Sequence, residues 1–496
     1  MKSSLPFCLC LKFFCLKSFS FCPLHLPLLC LAGLFPQVAR AKSSPPNFIF
    51  ILSDDLGYGD LSCYGQTNFQ TPNLDRMAAE GLRFASAYAG APLCAPCRAT
   101  LMTGLHNGHC PIRQNPSQAR GYNRTAQGDP PLPADIPTPA KVFKQAGYDT
   151  AIIGKWGLGR ADAAGSPRSL GFDYFFGYET HVAAHNYYPS FLWRNDQKVA
   201  LDGKSYSHDL FTKEALEYLR RHRDRPFFLY LPYTIPHGRF EPPNDEPFTE
   251  KPWPKVERAY AAMIHRLDAD IGRLMALLKE LKLEENTLVI FTSDNGPDNG
   301  AGHQASFFNS AGPFRGQKNG PYEGGVREPF IARWPGHVPA GQKTDQPIVF
   351  YDVLATCADL VGLPGSLRPS TRETLPTDGL SFLPTLLGRP QEQKQHDCFY
   401  WELGGAKGGF QEIRLGHWKA ERLNVTASRE PTLGLYDLET DLAQKHDVAS
   451  EHPDIVKRME QIAAQAHTSN AMFPLTYAEC KAAAPKGATT SAKKAK

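Results

Sequence analysis

The chain has 496 residues, of which 42% are hydrophobic, 21% charged and 11% aromatic, a composition that excludes a disordered protein and supports a large packed core. Its length admits up to about three units, and two unequal domains are expected. The formal net charge of +4 is carried by Lys2, Lys12, Lys17 and Arg40, with no acid before residue 42. The rest of the chain is neutral overall and shows no nucleic-acid-binding footprint.

Residues 1–41 place lysines before the apolar run Pro23–Phe35 and end on Ala39-Arg40-Ala41, the pattern of a signal peptide cleaved near Ala41. A membrane anchor is the competing reading, but Pro23, His25 and Pro27 interrupt the run, and no other segment has the apolar length for a stable membrane span. The mature protein is expected to be secreted or periplasmic. Asn47–Ser53 is a continuous apolar run that ends at two aspartates and a Gly-rich turn, which predicts a buried parallel strand. Three helix-then-strand units follow: Pro139–Ala146 with Thr150–Ile153, Leu210–Arg221 with Pro226–Pro232, and Lys255–Leu281 with Thr287–Thr292. Their alternation predicts an α/β catalytic domain over residues 42–363, built on a large mixed, mostly parallel sheet flanked by helices.

After Leu363 the texture changes. The Pro/Ser/Thr-rich stretch Pro364–Pro376 leads to short strand candidates at Cys398–Glu402, Gln411–Leu415 and Trp418–Leu423, then to a helix candidate at His452–Ala464. Residues 364–480 are therefore predicted to form a smaller C-terminal antiparallel sheet plus helix. Residues 481–496, with five lysines and no acid or aromatic residue, read as a disordered tail.

Of the 12 cysteines, five precede residue 42. The seven that remain are too sparse for a disulfide-scaffolded fold, and their odd number leaves one thiol free for other work.

Two acidic pairs, Asp54-Asp55 and Asp294-Asn295, stand at the carboxyl ends of predicted strands, where open α/β sheets bind ligands. Either pair alone reads equally as turn formers or helix caps. Together they offer three carboxylates and an amide oxygen, a hard set suited to Ca²⁺ or Mg²⁺, whereas zinc recruits His or Cys. Between them lies Cys94-Ala95-Pro96-Cys97-Arg98-Ala99-Thr100-Leu101-Met102-Thr103-Gly104. A redox Cys-x-x-Cys and half of a zinc site are its plainer readings. No second Cys pair at zinc spacing supports the latter.

Cys-x-Pro-x-Arg followed by Thr-Gly resembles the signature of the type I, formylglycine-dependent sulfatases, in which the first Cys is oxidised after translation to formylglycine. Asn47–Asp60, Gly154–Gly159, Ser293–Pro297 and Phe314–Pro329 resemble successive blocks of that family in its order, and Leu435–Thr440 resembles its C-terminal region. The resemblance implies an alkaline-phosphatase-like fold, a maturation enzyme that generates formylglycine, and a calcium-bound aldehyde hydrate at Cys94. It implies Asp54, Asp55, Asp294 and Asn295 as metal ligands, with the modified Cys94 also touching the ion. Arg98 resembles the arginine that orients the formylglycine, and Lys155 and Lys318 resemble the lysines that bind sulfate oxygens. His237 resembles the histidine beside the leaving-group oxygen, a candidate acid. Without the family, these cations read as surface charges and His237 as a structural loop histidine. His181 and His185 lie in an aromatic, His-rich loop, Thr180–Pro189, that lines a substrate pocket or serves only as structure.

The sequence departs from the family at one position: Gly157 stands where the Gly-Lys-Trp-His-Leu-Gly block carries a histidine that hydrogen-bonds the formylglycine. His237, His181 or a water is left to replace it. The resemblance implies hydrolysis of sulfate monoesters, on sulfated carbohydrates in the main. A phosphoester or phosphonate monoester hydrolase of the same superfamily competes with that reading, as does a catalytically silent carbohydrate-binding homologue.

Overall fold

The computed structural model describes residues 45–363, 377–405 and 408–483. The predicted signal peptide, the stretch Pro364–Pro376 and all but the start of the predicted tail lie outside the described residues. The helix Tyr477–Ala482 carries the chain past Lys481, because Thr476 and Glu479 form a capping box at its start.

The large sheet is built from β1 (Asn47–Asp54), β2 (Leu82–Tyr88), β3 (Asp149–Lys155), β4 (Tyr174–Tyr178), β5 (Phe191–Arg194), β6 (Gln197–Ala200), β7 (Phe227–Pro236), β8 (Thr287–Ser293), β9 (Arg327–Arg333), β10 (Gln342–Thr344) and β11 (Ile348–Val349). Its order is β10-β2-β9-β8-β1-β7-β3-β4-β5-β6, with β11 also paired to β2. The centre, β8-β1-β7-β3-β4, is parallel throughout. The antiparallel pairings lie at β9 and at β5 and β6, which makes the sheet mixed and mostly parallel, as predicted.

The central strand explains why its sequence is apolar without alternation. Phe48, Phe50 and Leu52 join the core on one face, with Val142 and Phe143 of the helix Pro139–Gln145 and Leu101 and Met102 of the helix Cys94–Thr103. Ile49 and Ile51 join the core on the other, with Phe211 and Leu219 of the helix Ser207–Arg221 and Ile264 and Leu267 of the helix Lys255–Glu280. A strand covered on both sides has no solvent face to mark with polar residues.

The smaller sheet is fully antiparallel, in the order β12 (Phe399–Leu403), β13 (Phe410–Leu415), β14 (Trp418–Leu423), β15 (Thr432–Asp437). The helix Pro453–Ala466 packs on it through Met459, Ile462 and Ala463. Three of its strands and the helix match the sequence expectation, and β15 is the addition.

This sheet backs the segments that lead into the large sheet's upper edge. Leu93 packs with Leu403, Phe410 and Leu423, and Trp401 Nε1 donates to the Ala89 carbonyl at 2.8 Å. Lys419, fully buried, lies 2.9 Å from Glu412 and 3.3 Å from Glu323. Glu412 accepts the Tyr322 backbone N–H at 2.7 Å, and Gln444 accepts that of Glu323 at 2.8 Å. Among the described residues no helix is long and apolar enough to cross a membrane.

Candidate active site

The carboxyl ends of β8, β1, β7 and β3 lie side by side. Register pairs Ser53 with Ser293 and Asp54 with Pro236. Asp54-Asp55 therefore sits beside Asp294-Asn295, His237 follows directly after β7, and Lys155 is the last residue of β3. Residues far apart in sequence meet because parallel neighbours end at the same height.

Cys94 opens the helix Cys94–Thr103, every residue of which is buried. Gly104, at φ +68, closes it in the left-handed conformation that suits glycine. Cys94 Sγ lies 3.6 Å from Asp54 Oδ1. One turn on, Arg98 donates from Nε and Nη2 to Asp294 Oδ2 at 3.1 and 2.8 Å, and Nη2 lies 3.4 Å from Asp54 Oδ2. Lys155 Nζ donates to Asp54 Oδ2 at 2.8 Å. Lys318 Nζ donates to Asp55 Oδ2 at 2.6 Å and to His237 Nε2 at 3.2 Å. The His237 Nδ1–H faces the Gly238 carbonyl at 2.9 Å, and its ring stacks on His185 with centroids 4.1 Å apart. Asn295 Nδ2 donates to Asp55 Oδ1 at 2.7 Å.

Burial would raise the Asp54 carboxyl, but Lys155, Arg98, His237 and Lys318 together hold it well below the usual range. Asp294 goes the other way: burial and the charge of Asp54 push it up to about 7. Burial, reinforced by the Lys318 ammonium, pulls His237 down to about 3, so its imidazole is neutral. Burial also raises the Cys94 thiol, which makes it a poor thiolate nucleophile as it stands. Ligand atoms of Asp54, Asp55, Cys94 and His237 all lie within 4.8 Å of one another. Asn295 Oδ1 is buried with no hydrogen-bond partner among the described residues.

The structure thus gathers nine residues singled out in the sequence: Asp54, Asp55, Cys94, Arg98, Lys155, His237, Asp294, Asn295 and Lys318. His185 joins them through its stack on His237. His181 is 3% exposed and bonded through Nδ1 to Asp129 at 3.0 Å. All seven cysteines of the described residues are free thiols, so Cys94 and Cys97 form no redox disulfide here. Sequence reading missed two acids. Asp298, 3.5 Å from Lys318, stands four residues after Asp294, and that local density of acids was a usable signal. Asp129 lies 52 residues from the histidine it holds in a Gly-Asp-Pro-Pro turn, and no spacing rule connects the two.

Three carboxylates and three cations, buried around the first turn of a helix at the carboxyl edge of a mixed sheet, define a hydrolase for anionic esters. Comparison with known proteins narrows the class. Residues 46–363 match the family model described as Sulfatase. N-acetylgalactosamine-6-sulfatase of Sus scrofa is 36% identical over 413 residues, covering 78% of this chain and 73% of its own. Arylsulfatase A of Homo sapiens is 33% identical over 472 residues, covering 85% and 88%. The crystal structure of Ps i-CgsB in complex with k-i-k-neocarrahexaose superposes with a TM-score of 0.72 at 29% identity, covering 84% of this chain and 92% of that one. The chain belongs to the sulfatase family, and its activity is that of a sulfuric ester hydrolase.

Proposed function

We propose that this protein removes sulfate from sulfated carbohydrates, using formylglycine derived from Cys94 and a Ca²⁺ ion held by Asp54, Asp55, Asp294 and Asn295. The observation that carries this reading is the placement of the Cys94 side chain against Asp54 in a buried oxygen cluster whose Asn295 Oδ1 has no protein partner. The upward push on Asp294 expresses the same need, because three close carboxylates repel one another until a cation joins them. An oxygen-only set beside a buried side chain suits a hard divalent ion. When present, formylglycine supplies a hydrated carbonyl as nucleophile, and Ca²⁺ supplies fixed positive charge beside it.

The chain's own residues account for the remaining needs. A sulfate ester resists attack because its anionic oxygens repel nucleophiles, so the site must place cations around it and hold the reacting atoms in line. Lys155 and Lys318 bind sulfate oxygens. Both ammonium groups now rest on Asp54 and Asp55, and a divalent ion on those carboxylates releases them toward an anion. Arg98 holds residue 94 in orientation through Asp294 and Asp54. His237 donates the proton that the departing alcohol needs: a sulfate seated beside it adds negative charge, which raises its basicity and lets Nε2 carry a proton. His185, stacked on the same ring, fixes its plane.

The carbohydrate substrate is supported by the relatives' names, two of which specify sugar-bearing molecules. Export through residues 1–41 suits such substrates and an encounter with a maturation enzyme. The deciding experiment is peptide mass spectrometry on active protein co-expressed with a formylglycine-generating enzyme, followed by sulfate release from a panel of defined sulfated sugars. Formylglycine at position 94, with turnover of sulfate esters above that of matched phosphate esters, is the expected result. An unmodified Cys94 in active protein overturns it.

A further inference from the structure

His181 carries a buried nitrogen with no assigned work. The ring reaches the site from the loop after β4, and its Nδ1 lies 3.0 Å from Asp129 Oδ2, which also accepts the His181 backbone N–H at 2.7 Å. Asp129 is fully buried. A carboxylate only accepts, so the proton sits on Nδ1 and the lone pair on Nε2. That Nε2 is buried and meets no partner among the described residues.

The ring also lies where a side chain at position 157 would go. A Cβ built on Gly157 would come within 2.1 Å of His181 Cε1 and 2.3 Å of Nδ1. Gly157 stands two residues beyond Lys155, whose ammonium holds Asp54, and Arg98 Nη1 reaches the Lys155 carbonyl at 3.5 Å. His181 is therefore packed against the junction of the Cys94 helix and the end of β3. Burial and the nearby Lys155 charge pull the imidazole down to about 4, so it is neutral and able to accept. His237 is not free for this task. Its Nδ1–H faces the Gly238 carbonyl, and its Nε2 lone pair receives the Lys318 ammonium.

We propose that His181, oriented by Asp129, is the proton acceptor for the hydroxyl borne by residue 94. This rests on the reading that Cys94 is converted. His181 Nε2 takes the proton as the O–H bond breaks, the electron pair stays on oxygen, and the imidazolium formed is neutralised by the Asp129 carboxylate. Asp129 is a positioning residue, since it acts through the ring.

The test combines kinetics with a measurement that needs no converted enzyme. In protein produced without maturation, ¹⁵N spectra of labelled histidine should show His181 with its proton on Nδ1 and a bare Nε2, and Asp129→Asn should abolish that preference. In matured protein, matched for formylglycine content by mass spectrometry, His181→Ala should lower kcat by about 10²-fold with KM nearly unchanged. Free imidazole should restore part of the loss. Asp129→Asn should lower kcat by about 10-fold or more, and this second variant keeps the test open where His181→Ala does not fold. A proton found on Nε2, an unchanged kcat in either variant, or a loss confined to KM overturns the proposal. Absence of formylglycine from active wild-type protein instead defeats the underlying reading and is scored separately.

Discussion

Restoring a side chain at Gly157 should damage this enzyme, and the reason is geometric. Gly157 has φ +73, and the first carbon of any side chain there would lie 2.1 Å from His181 Cε1. Holding an L-residue in that left-handed conformation costs about 1–2 kcal/mol. Carbon atoms rest about 3.5 Å apart, so the imidazole must shift by more than about 1 Å. The shift breaks the Nδ1 bond to Asp129 and leaves a fully buried carboxylate unpaired, at about 1–3 kcal/mol. Gly157→Ala should therefore cost about 2–5 kcal/mol. In a His181→Ala background, where no ring stands in the way, only the backbone part of about 1–2 kcal/mol remains. Urea unfolding of the wild type, both single variants and the double variant gives the coupling directly, provided the m-values agree. A Gly157→Ala cost that is the same in both backgrounds refutes the argument. Gly157→His meets the same obstacle and should not raise turnover.

Asp294→Ala should remove bound calcium and activity together, read by elemental analysis and sulfate release; retained calcium at full occupancy contradicts the ligand assignment. Lys419→Met strips the only ammonium from between Glu412 and Glu323 and should destabilise the fold by about 3–5 kcal/mol, measured by urea unfolding, with a loss within 1 kcal/mol counting against the ionic reading. His467 sits 2.8 Å from Glu402 and 3.0 Å from Glu479, and those carboxylates raise its pKa against the opposing effect of burial. Its contribution is complete below the unfolded value of about 6.5 and disappears as pH rises through the raised folded value. His467→Gln should thus lose more stability at pH 6 than at pH 9; equal losses at both would exclude the linkage.

Much of the site was legible because its residues are tied to local pattern. Asp54, Asp294 and Lys155 each end an apolar run, and a run that stops at a charged residue marks both the strand and its active edge. Cys94 and Arg98 share one helix turn. Lys318 and His237 were reachable only through family blocks, since a lysine in a loop has no period. The antiparallel members of the sheet were harder still. β5 and β6 span four residues each and leave Phe191, Arg194 and Gln197 exposed, so neither alternation nor a continuous run identifies them. β15 hides in the same way: Thr432–Asp437 begins exposed and buries only Leu435 and Tyr436 fully. The pairing of Asp129 with His181 is a tertiary fact with no one-dimensional trace.

The ion cluster under the smaller sheet bears on how this enzyme can be cut and recombined. The region shared with the wider family stops at residue 363, yet the loop carrying Lys318 is fastened at Tyr322 and Glu323 by Glu412 and Gln444 from beyond that point. A truncated version ending near 363 would lose the groups that satisfy those amides and expose the lysine's loop to solvent. Chimeras that borrow a C-terminal half from a relative face a related constraint. The incoming half must bring its own carboxylate and amide for the same two backbone N–H groups, or the sulfate-binding lysine will be presented on an untethered strap.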